Sequence, residues 1–176
     1  MFLRFASRFL SNTGYTFVEL MVVLVVSGIL VVLSVPSFTA QTSRRSLRRT
    51  SHKIVSQLRL IRQKAITEGK TLSIQFSPDS RQYDLPGYGE QTLPQMILFG
   101  ASDEIHKIPK DRDGTPPVDG VSFTDNEVKF QPNGTYAGLG GSIYITNDSP
   151  QRETMAITVN MTGRVRLYKW SGDEWE

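Results

Sequence analysis

Residue types that perform most enzyme chemistry are sparse in this chain. The 176 residues include no cysteine and two histidines, His52 and His106. A thiolate nucleophile and a thiolate metal site are therefore excluded. Neither histidine has a second histidine at the spacing of metal ligands,. The sequence predicts no metal site, no cofactor and no catalytic residue, and we do not expect the chain to be an enzyme.

Two short segments have some features of ligand-binding loops. Asp111-Arg112-Asp113-Gly114 has part of a calcium loop, but its oxygen ligands are wrongly spaced and no closing glutamate follows,. Gly138-Leu139-Gly140-Gly141 lacks the lysine and the following hydroxyl residue of a phosphate loop,. We interpret the first as a turn and the second as a flexible hairpin connection.

The last predicted strand carries residues that could bind nucleic acid. Because side chains alternate across a strand, Arg164 and Arg166 should share one face with Tyr168 and Trp170, and Lys169 lies between the two rings in sequence,. Guanidinium and ammonium groups can hold phosphates, and aromatic rings can stack on bases. The same neighbours can also stabilise a solvent-facing strand without any ligand. The residues leave both interpretations open.

An apolar run near the beginning of the chain is the element around which the other segments are organised. Residues 20–35 hold no charge, and the segment 15–38 is long enough to cross about 30 Å of hydrocarbon as a helix,. It predicts a membrane helix, with a signal-anchor or a cleaved secretory signal as alternatives. Glu19 lies within the apolar sequence and needs a partner there,. Pro36 cannot donate a helical hydrogen bond and predicts a kink,.

The segment 39–69 predicts an amphipathic helix that continues this spine. Apolar and small residues recur at spacings of three and four and form one stripe, which should pack on a sheet. The stripe contains Leu47, Ser51, Ile54, Leu58, Ile61 and Ala65. Gly69 should end the helix,. From Ala40 to Lys70 there are nine basic residues and one acid; they form either a solvated face or a contact with acidic headgroups or acidic neighbouring subunits.

Residues 70–176 predict a β-rich head. Short alternating runs are separated by Gly, Pro, Asn and Asp. The predicted strands are 72–76, 82–85, 96–99, 118–123, 127–130, 142–146, 154–160 and 164–170. Gly100 to Gly120 is expected to be an irregular loop. A long N-terminal helix packed on antiparallel strands is an α+β fold.

The junction Gly14-Tyr15-Thr16-Phe17-Val18-Glu19-Leu20 resembles the class III leader of type IV pilins and pseudopilins. The resemblance implies that residues 1–14 are a leader peptide, which prepilin peptidase removes by cutting after Gly14 before it methylates the amino terminus of Tyr15. Glu19 is the fifth residue counted from that cut. In these families the glutamate at this place pairs with the amino terminus of a neighbouring subunit and sets the register between subunits.

The C-terminal half resembles the GspH/FimT family, which comprises minor pseudopilins of type II secretion and minor pilins of type IV pili. The resemblance rests on the segment 128–135 (VKFQPNGT), on the strands that follow it, and on Gly163-Arg164-Val165-Arg166. It implies a filament subunit anchored by one span in the bacterial inner membrane, with its head in the periplasm. The implied partners are other pilins or pseudopilins, prepilin peptidase and the inner-membrane assembly platform.

The same resemblance implies an alternative function. Some FimT-like minor pilins bind DNA during natural transformation through a Gly-Arg-x-Arg motif, which Gly163 to Arg166 match. Double-stranded DNA is therefore a further expected partner, through Arg164, Arg166 and Lys169 and the rings of Tyr168 and Trp170. Against strong general affinity for DNA, acids outnumber basic residues by fifteen to nine from Thr71 onward.

Overall fold

A computed structural model of the protein describes residues 15–109, 112–149 and 152–176, with the side chains of all these except residues 31–40, 112 and 113. The chain divides into two compact units, Met1–Phe38 and Thr39–Glu176. The predicted leader 1–14, with its cleavage residue Gly14, lies outside the described residues.

The first element of the described residues is a long helix, α1, which spans Phe17–Glu68. Pro36 lies within α1, and its expected kink stays a prediction. So does the division into a membrane segment 15–38 and an amphipathic segment 39–69. Within the described part of the chain, no helix has an apolar stretch sufficient to span a membrane.

The end of α1 has the geometry that Gly69 predicts. Gly69 adopts a φ of 62°, in the left-handed region where a side chain is disfavoured,. The amide of Lys70 donates to the carbonyl of Ala65 over 3.2 Å. This is the Schellman pattern, in which otherwise unpaired carbonyls of the last helical turn find donors.

The head contains two four-stranded antiparallel sheets. The first consists of β1 (Leu72–Ser77), β2 (Gln82–Leu85), β3 (Gly89–Thr92) and β7 (Glu127–Phe130). The second consists of β4 (Ile97–Phe99), β8 (Gly140–Asn147), β9 (Thr154–Asn160) and β10 (Val165–Lys169). The strand order is β3-β2-β1-β7 in the first sheet and β10-β9-β8-β4 in the second. A separate pair joins β5 (Lys107–Ile108) to β6 (Arg112–Asp113), and a 3-10 turn spans Thr124–Asn126.

Three features differ from the strands predicted from sequence. The run 118–123 is not a strand, because it contributes one isolated bridge from Val121 to Ile143. Strand β3 was not predicted because its residues are polar and mostly exposed, so they lack the alternation that marks a half-buried strand,. The predicted irregular loop from Gly100 to Gly120 contains β5 and β6.

The core lies between α1 and the inner faces of both sheets. All six residues of the predicted stripe are at most 1% exposed. The polar member, Ser51, is accommodated because its hydroxyl donates to the carbonyl of Leu47 over 2.8 Å and contacts the sulfur of Met155 at 2.9 Å. A smaller cluster on the outer face of the second sheet contains Ile105, Tyr144, Ala156 and Trp175. Both clusters lie wholly within Thr39–Glu176.

Candidate functional site

The candidate binding surface begins at the turn that leads into β10. Gly163 has a φ of 73°, and its amide donates to the carbonyl of Asn160 over 2.9 Å. The amide of Arg164 donates to the Asn160 side-chain oxygen over 2.8 Å. Both bonds fix the direction in which β10 starts and therefore the position of Arg164.

A second glycine turn and one helical arginine hold the first turn in place. Gly134 has a φ of 79°, and the space beside Gly163 is filled by the Gly134 carbonyl. The Arg62 guanidinium donates to that carbonyl from Nε over 2.7 Å and to the carbonyl of Thr162 from Nη2 over 3.4 Å. Arg62 thereby ties the two turns to α1. Neither its role nor the contact between the two glycines was predicted from sequence.

Arg166 lies on the outer face of the second sheet, and Arg164 directly precedes β10. Both are exposed, and Arg166 Nη1 donates to the hydroxyl of Tyr168 over 3.4 Å. Arg166 pairs with Thr158 across the sheet, and Tyr168 pairs with Ala156. Among the described residues, neither arginine has an acidic partner within ion-pair distance. Two unpaired guanidinium groups on one surface can hold phosphates.

The rings on this face are largely engaged in packing. Tyr168 and Trp170 are half-buried against the outer cluster. The ring of Trp170 lies 5.3 Å from that of Trp175, which lies 5.8 Å from that of Tyr144. Trp175 Nε1 donates to the carbonyl of Lys107 over 2.8 Å. Burial raises the pKa of Tyr144 above its ordinary value. Trp170 is therefore part of a small apolar cluster rather than a free ring for stacking on bases.

Lys169 does not join the two arginines. It lies on the opposite face of β10 from Arg166,. Its Nζ lies 3.9 Å from a carboxylate oxygen of Glu153, which also lies 3.4 Å from Nε of Arg44. Of the five residues predicted to bind DNA, Arg166 and Tyr168 are in contact on the outer face, and Arg164 directly precedes β10. Trp170 belongs to a packed cluster, and Lys169 lies on the other face.

A groove adjoins this surface. Its volume is about 550 Å³, and its walls come from the strand residues Ser142 and Thr158, the turn residues Asn160 and Thr162, and the segment between β4 and β7. Because the partner of Thr158 is Arg166, the guanidinium face and the groove are neighbours.

At the other end of the chain, Tyr15 and Glu19 are exposed at the beginning of α1. The amide of Glu19 donates to Oγ1 of Thr16 over 3.2 Å, which makes Thr16 the N-cap of α1 and Glu19 its third residue. The sequence signal for this arrangement, Thr-x-x-Glu before an apolar run, was present but not used.

The other chemically interesting residues do not assemble into a centre. His52 and His106 are both exposed. Within the described ranges, no group of three His, Cys, Asp or Glu side chains could hold a metal ion. Asp111 lies outside the described residues, and Arg112 and Asp113 form β6.

Comparison with known families gives two matches. The sequence profile of the family described as "Type II transport protein GspH" matches residues 50–163. The profile described as "Prokaryotic N-terminal methylation motif" matches residues 10–35. The first match runs from Thr50, within α1, to Gly163, and the second includes the Gly14–Leu20 junction.

Two proteins of Pseudomonas aeruginosa, both described as "Fimbrial protein", are 33% identical to this chain over 105 residues. The matched region is 60% of this chain and 64% of each relative. Among solved structures, the type IV minor pilin FimU of Pseudomonas aeruginosa strain PAO1 superposes with a TM-score of 0.45 and 17% identity. That match covers 77% of this chain and 96% of FimU, and a TM-score below 0.5 does not by itself establish a common fold.

Proposed function

We propose that this chain, which belongs to the family of the type II transport protein GspH, is a minor pilin or pseudopilin subunit of a type II secretion or type IV pilus machine. It is made as an inner-membrane precursor with one span and a periplasmic head. Its role is structural rather than enzymatic, and its partners are other pilins or pseudopilins and the assembly platform. The observation that carries the proposal is the methylation motif at residues 10–35, which includes the beginning of α1 at Phe17.

Prepilin peptidase cuts the precursor between Gly14 and Tyr15 and methylates Tyr15. The capped beginning of α1 supports this site, since Thr16 Oγ1 accepts the Glu19 amide and the helix starts two residues after the cut. Mass spectrometry of the full chain, expressed with and without the peptidase, tests the processing. We expect a methylated N-terminal tyrosine with the peptidase and an intact leader in a Gly14→Leu variant. A mature chain that begins elsewhere contradicts the proposal.

Glu19 sets the register by pairing with the amino terminus of a neighbouring subunit. Glu19→Gln keeps a side chain that can still complete the helix cap but removes the charge, whereas Thr16→Ala removes the cap and keeps the charge. We expect Glu19→Gln to reduce recovery of the chain in sheared filaments and Thr16→Ala to have a smaller effect. Normal assembly of Glu19→Gln contradicts the pairing.

A second candidate function is binding of double-stranded DNA, as in DNA uptake. The observation in its favour is that Arg164 and Arg166 are exposed together, without acidic partners among the described residues. The unit Thr39–Glu176 should bind duplex DNA less tightly as salt increases. Arg164→Ala with Arg166→Ala should reduce the salt slope by roughly 2, because two phosphate contacts are lost.

Lys169→Ala is the matched control for that measurement, because Lys169 is paired with Glu153 on the other face. We expect it to change the slope little. If the double arginine variant has the salt slope of the wild type, or if it and Lys169→Ala change the slope equally, a DNA site on the outer face is contradicted.

A further inference from the structure

The cations of α1 within the head fall into two groups. Those from Lys53 onward interact with groups on the head or on the helix itself. The contacts are Lys53 to Gln91 at 3.1 Å, Arg59 to the Val165 carbonyl at 3.4 Å, Arg62 to the Gly134 carbonyl at 2.7 Å, and Lys64 to Glu68 at 3.8 Å. Lys64 also lies 5.6 Å above the centre of the Tyr88 ring. These cations have structural roles.

Three arginines of α1 that precede Lys53 are different. Arg45, Arg48 and Arg49 are exposed, and among the described residues none of the three has a hydrogen-bond acceptor or an acid as a partner. Leu47 and Ser51, on the opposite side of the helix, are buried. The three guanidinium groups, which we call the basic collar, therefore face away from the core.

The collar concentrates like charges. Arg45 lies three and four positions before Arg48 and Arg49, and residues at these spacings are neighbours on a helix surface,. Lys53 follows Arg49 by four positions. Like charges at this spacing repel and destabilise the helix. A multivalent anion bound across the collar would remove that repulsion.

We propose that the basic collar binds the headgroups of anionic phospholipids. Arg45 follows the uncharged run 20–35 by ten positions, and clusters of basic residues beside a membrane segment are attracted to anionic lipid surfaces. The cations further along α1 already have partners in the head or on the helix, so among the described cations of α1 only the three nearer that run are without one. The inference rests on the membrane anchoring in the proposed function, but it requires neither leader cleavage nor filament assembly.

Sedimentation with lipid vesicles tests the collar directly. The unit Thr39–Glu176 contains both core clusters complete and can be used without the apolar run. It should bind vesicles of phosphatidylethanolamine with about 30% phosphatidylglycerol at low salt, bind neutral phosphatidylcholine vesicles weakly, and be released at about 0.5 M salt. Arg45→Gln, Arg48→Gln and Arg49→Gln together should lower the partition coefficient by roughly a hundredfold, at about fivefold per cation.

A variant with the same loss of charge elsewhere separates the collar from net charge. Lys70, Lys107 and Arg152 are exposed, and their combined replacement by glutamine should lower binding by less than about tenfold. Thermal unfolding checks that both triple variants are folded. Equal losses in the two variants, or no sedimentation of the wild-type unit at low salt, overturn the proposal.

Two further measurements isolate this inference. If the collar variant abolishes self-association of the unit in ultracentrifugation and leaves vesicle binding intact, the collar binds an acidic surface of a second copy and the lipid proposal is wrong. Leader processing is measured on the full chain. If the wild-type unit does not bind vesicles and Tyr15 of the full chain is methylated normally, the collar proposal alone is overturned. If the wild-type unit binds vesicles and Tyr15 is not methylated, the proposed processing alone is overturned.

Discussion

Gly163 lies against the backbone carbonyl of Gly134, so that a methyl group on Gly163 would overlap the carbonyl oxygen. The two residues are 29 positions apart in the sequence, and both adopt positive φ angles. Arg62 of α1 donates to the same carbonyl. This contact sets where β10 begins. Arg164 of the candidate DNA surface directly precedes β10, and Arg166 lies within it.

Replacement of Gly163 by alanine should destabilise the head by about 3 kcal/mol. The left-handed backbone costs roughly 1–2 kcal/mol for an L-residue, and overpacking adds roughly 1–3 kcal/mol. Urea unfolding of the unit Thr39–Glu176 measures the change. Gly89→Ala is the matched control, because Gly89 has a φ of 72° and no atom near the position of a Cβ. Equal destabilisation in the two variants would show that the contact with Gly134 is unimportant.

Arg62→Met should destabilise the head by roughly 2 kcal/mol. The variant keeps an apolar stem but removes charged hydrogen bonds, including the one of 2.7 Å to the Gly134 carbonyl,. Arg45→Met removes a guanidinium without a partner among the described residues and should stay within about 0.5 kcal/mol of wild type. Denaturant unfolding compares the two variants, and similar values for both would contradict the anchoring role of Arg62.

Gly120→Ala should be among the most damaging glycine substitutions. A Cβ on Gly120 would overlap the amide nitrogen of Gly100 and lie 2.7 Å from its Cα. Gly100 and Gly120 are where the segment between β4 and β7 leaves and rejoins the second sheet, since both are hydrogen-bonded to Tyr144 of β8. We expect a loss of about 3 kcal/mol or more in unfolding free energy, against about 1 kcal/mol for the Gly89→Ala control. A loss no greater than that of the control contradicts the close approach.

Stability should fall in alkaline solution because of Tyr83. Burial raises the pKa of Tyr83 to about 12, and the hydrogen bond with Gln57 lowers it by a smaller amount. The folded state therefore holds a proton that the unfolded chain loses from about pH 10. The contribution is fully present below pH 10 and is lost as the pH rises towards 12, by roughly 2 kcal/mol in total.

Unfolding in urea at about pH 9 and about pH 11.5 tests this dependence. Tyr83→Phe should be less stable than wild type at the lower pH, because it loses the hydrogen bond of 2.7 Å to Gln57, and should lose less stability between the two values. Tyr136 and Tyr144 also have raised pKa values because of burial, so some alkaline loss remains. An identical loss in variant and wild type would contradict the role of Tyr83.

Features with a local physical cause could be predicted from the sequence. The buried stripe from Leu47 to Ala65 follows from the helical period, and Gly69 ends α1 because glycine tolerates the left-handed conformation. The family followed from motifs that are short and continuous, such as the one at Gly14 to Leu20. Strand β3 and the loop strands β5 and β6 could not be predicted, because pairing across the sheet, rather than an apolar pattern, holds these polar segments.

Only part of the candidate DNA surface could be predicted, because strand alternation is a local property and the other contacts are long-range. Strand alternation placed Arg164 and Arg166 on one side. The packing of Trp170 on Trp175 and the pairing of Lys169 with Glu153 depend on residues that only the folded sheet brings near. Alternation itself assigned Lys169 to the opposite face from the arginines, and including it in the DNA surface did not follow that rule.

The sequence by itself determined the α+β class, the buried stripe of the helix and the family of the chain, because periodicity, capping chemistry and continuous motifs are properties of neighbouring residues. Only the tertiary structure decided which cations are free. Arg45, Arg49 and Arg62 are alike in the sequence, yet Arg62 alone meets the carbonyl of Gly134, 72 positions away. A charge is available for a partner only where the folded chain has not already supplied an acceptor, and long-range contacts decide that.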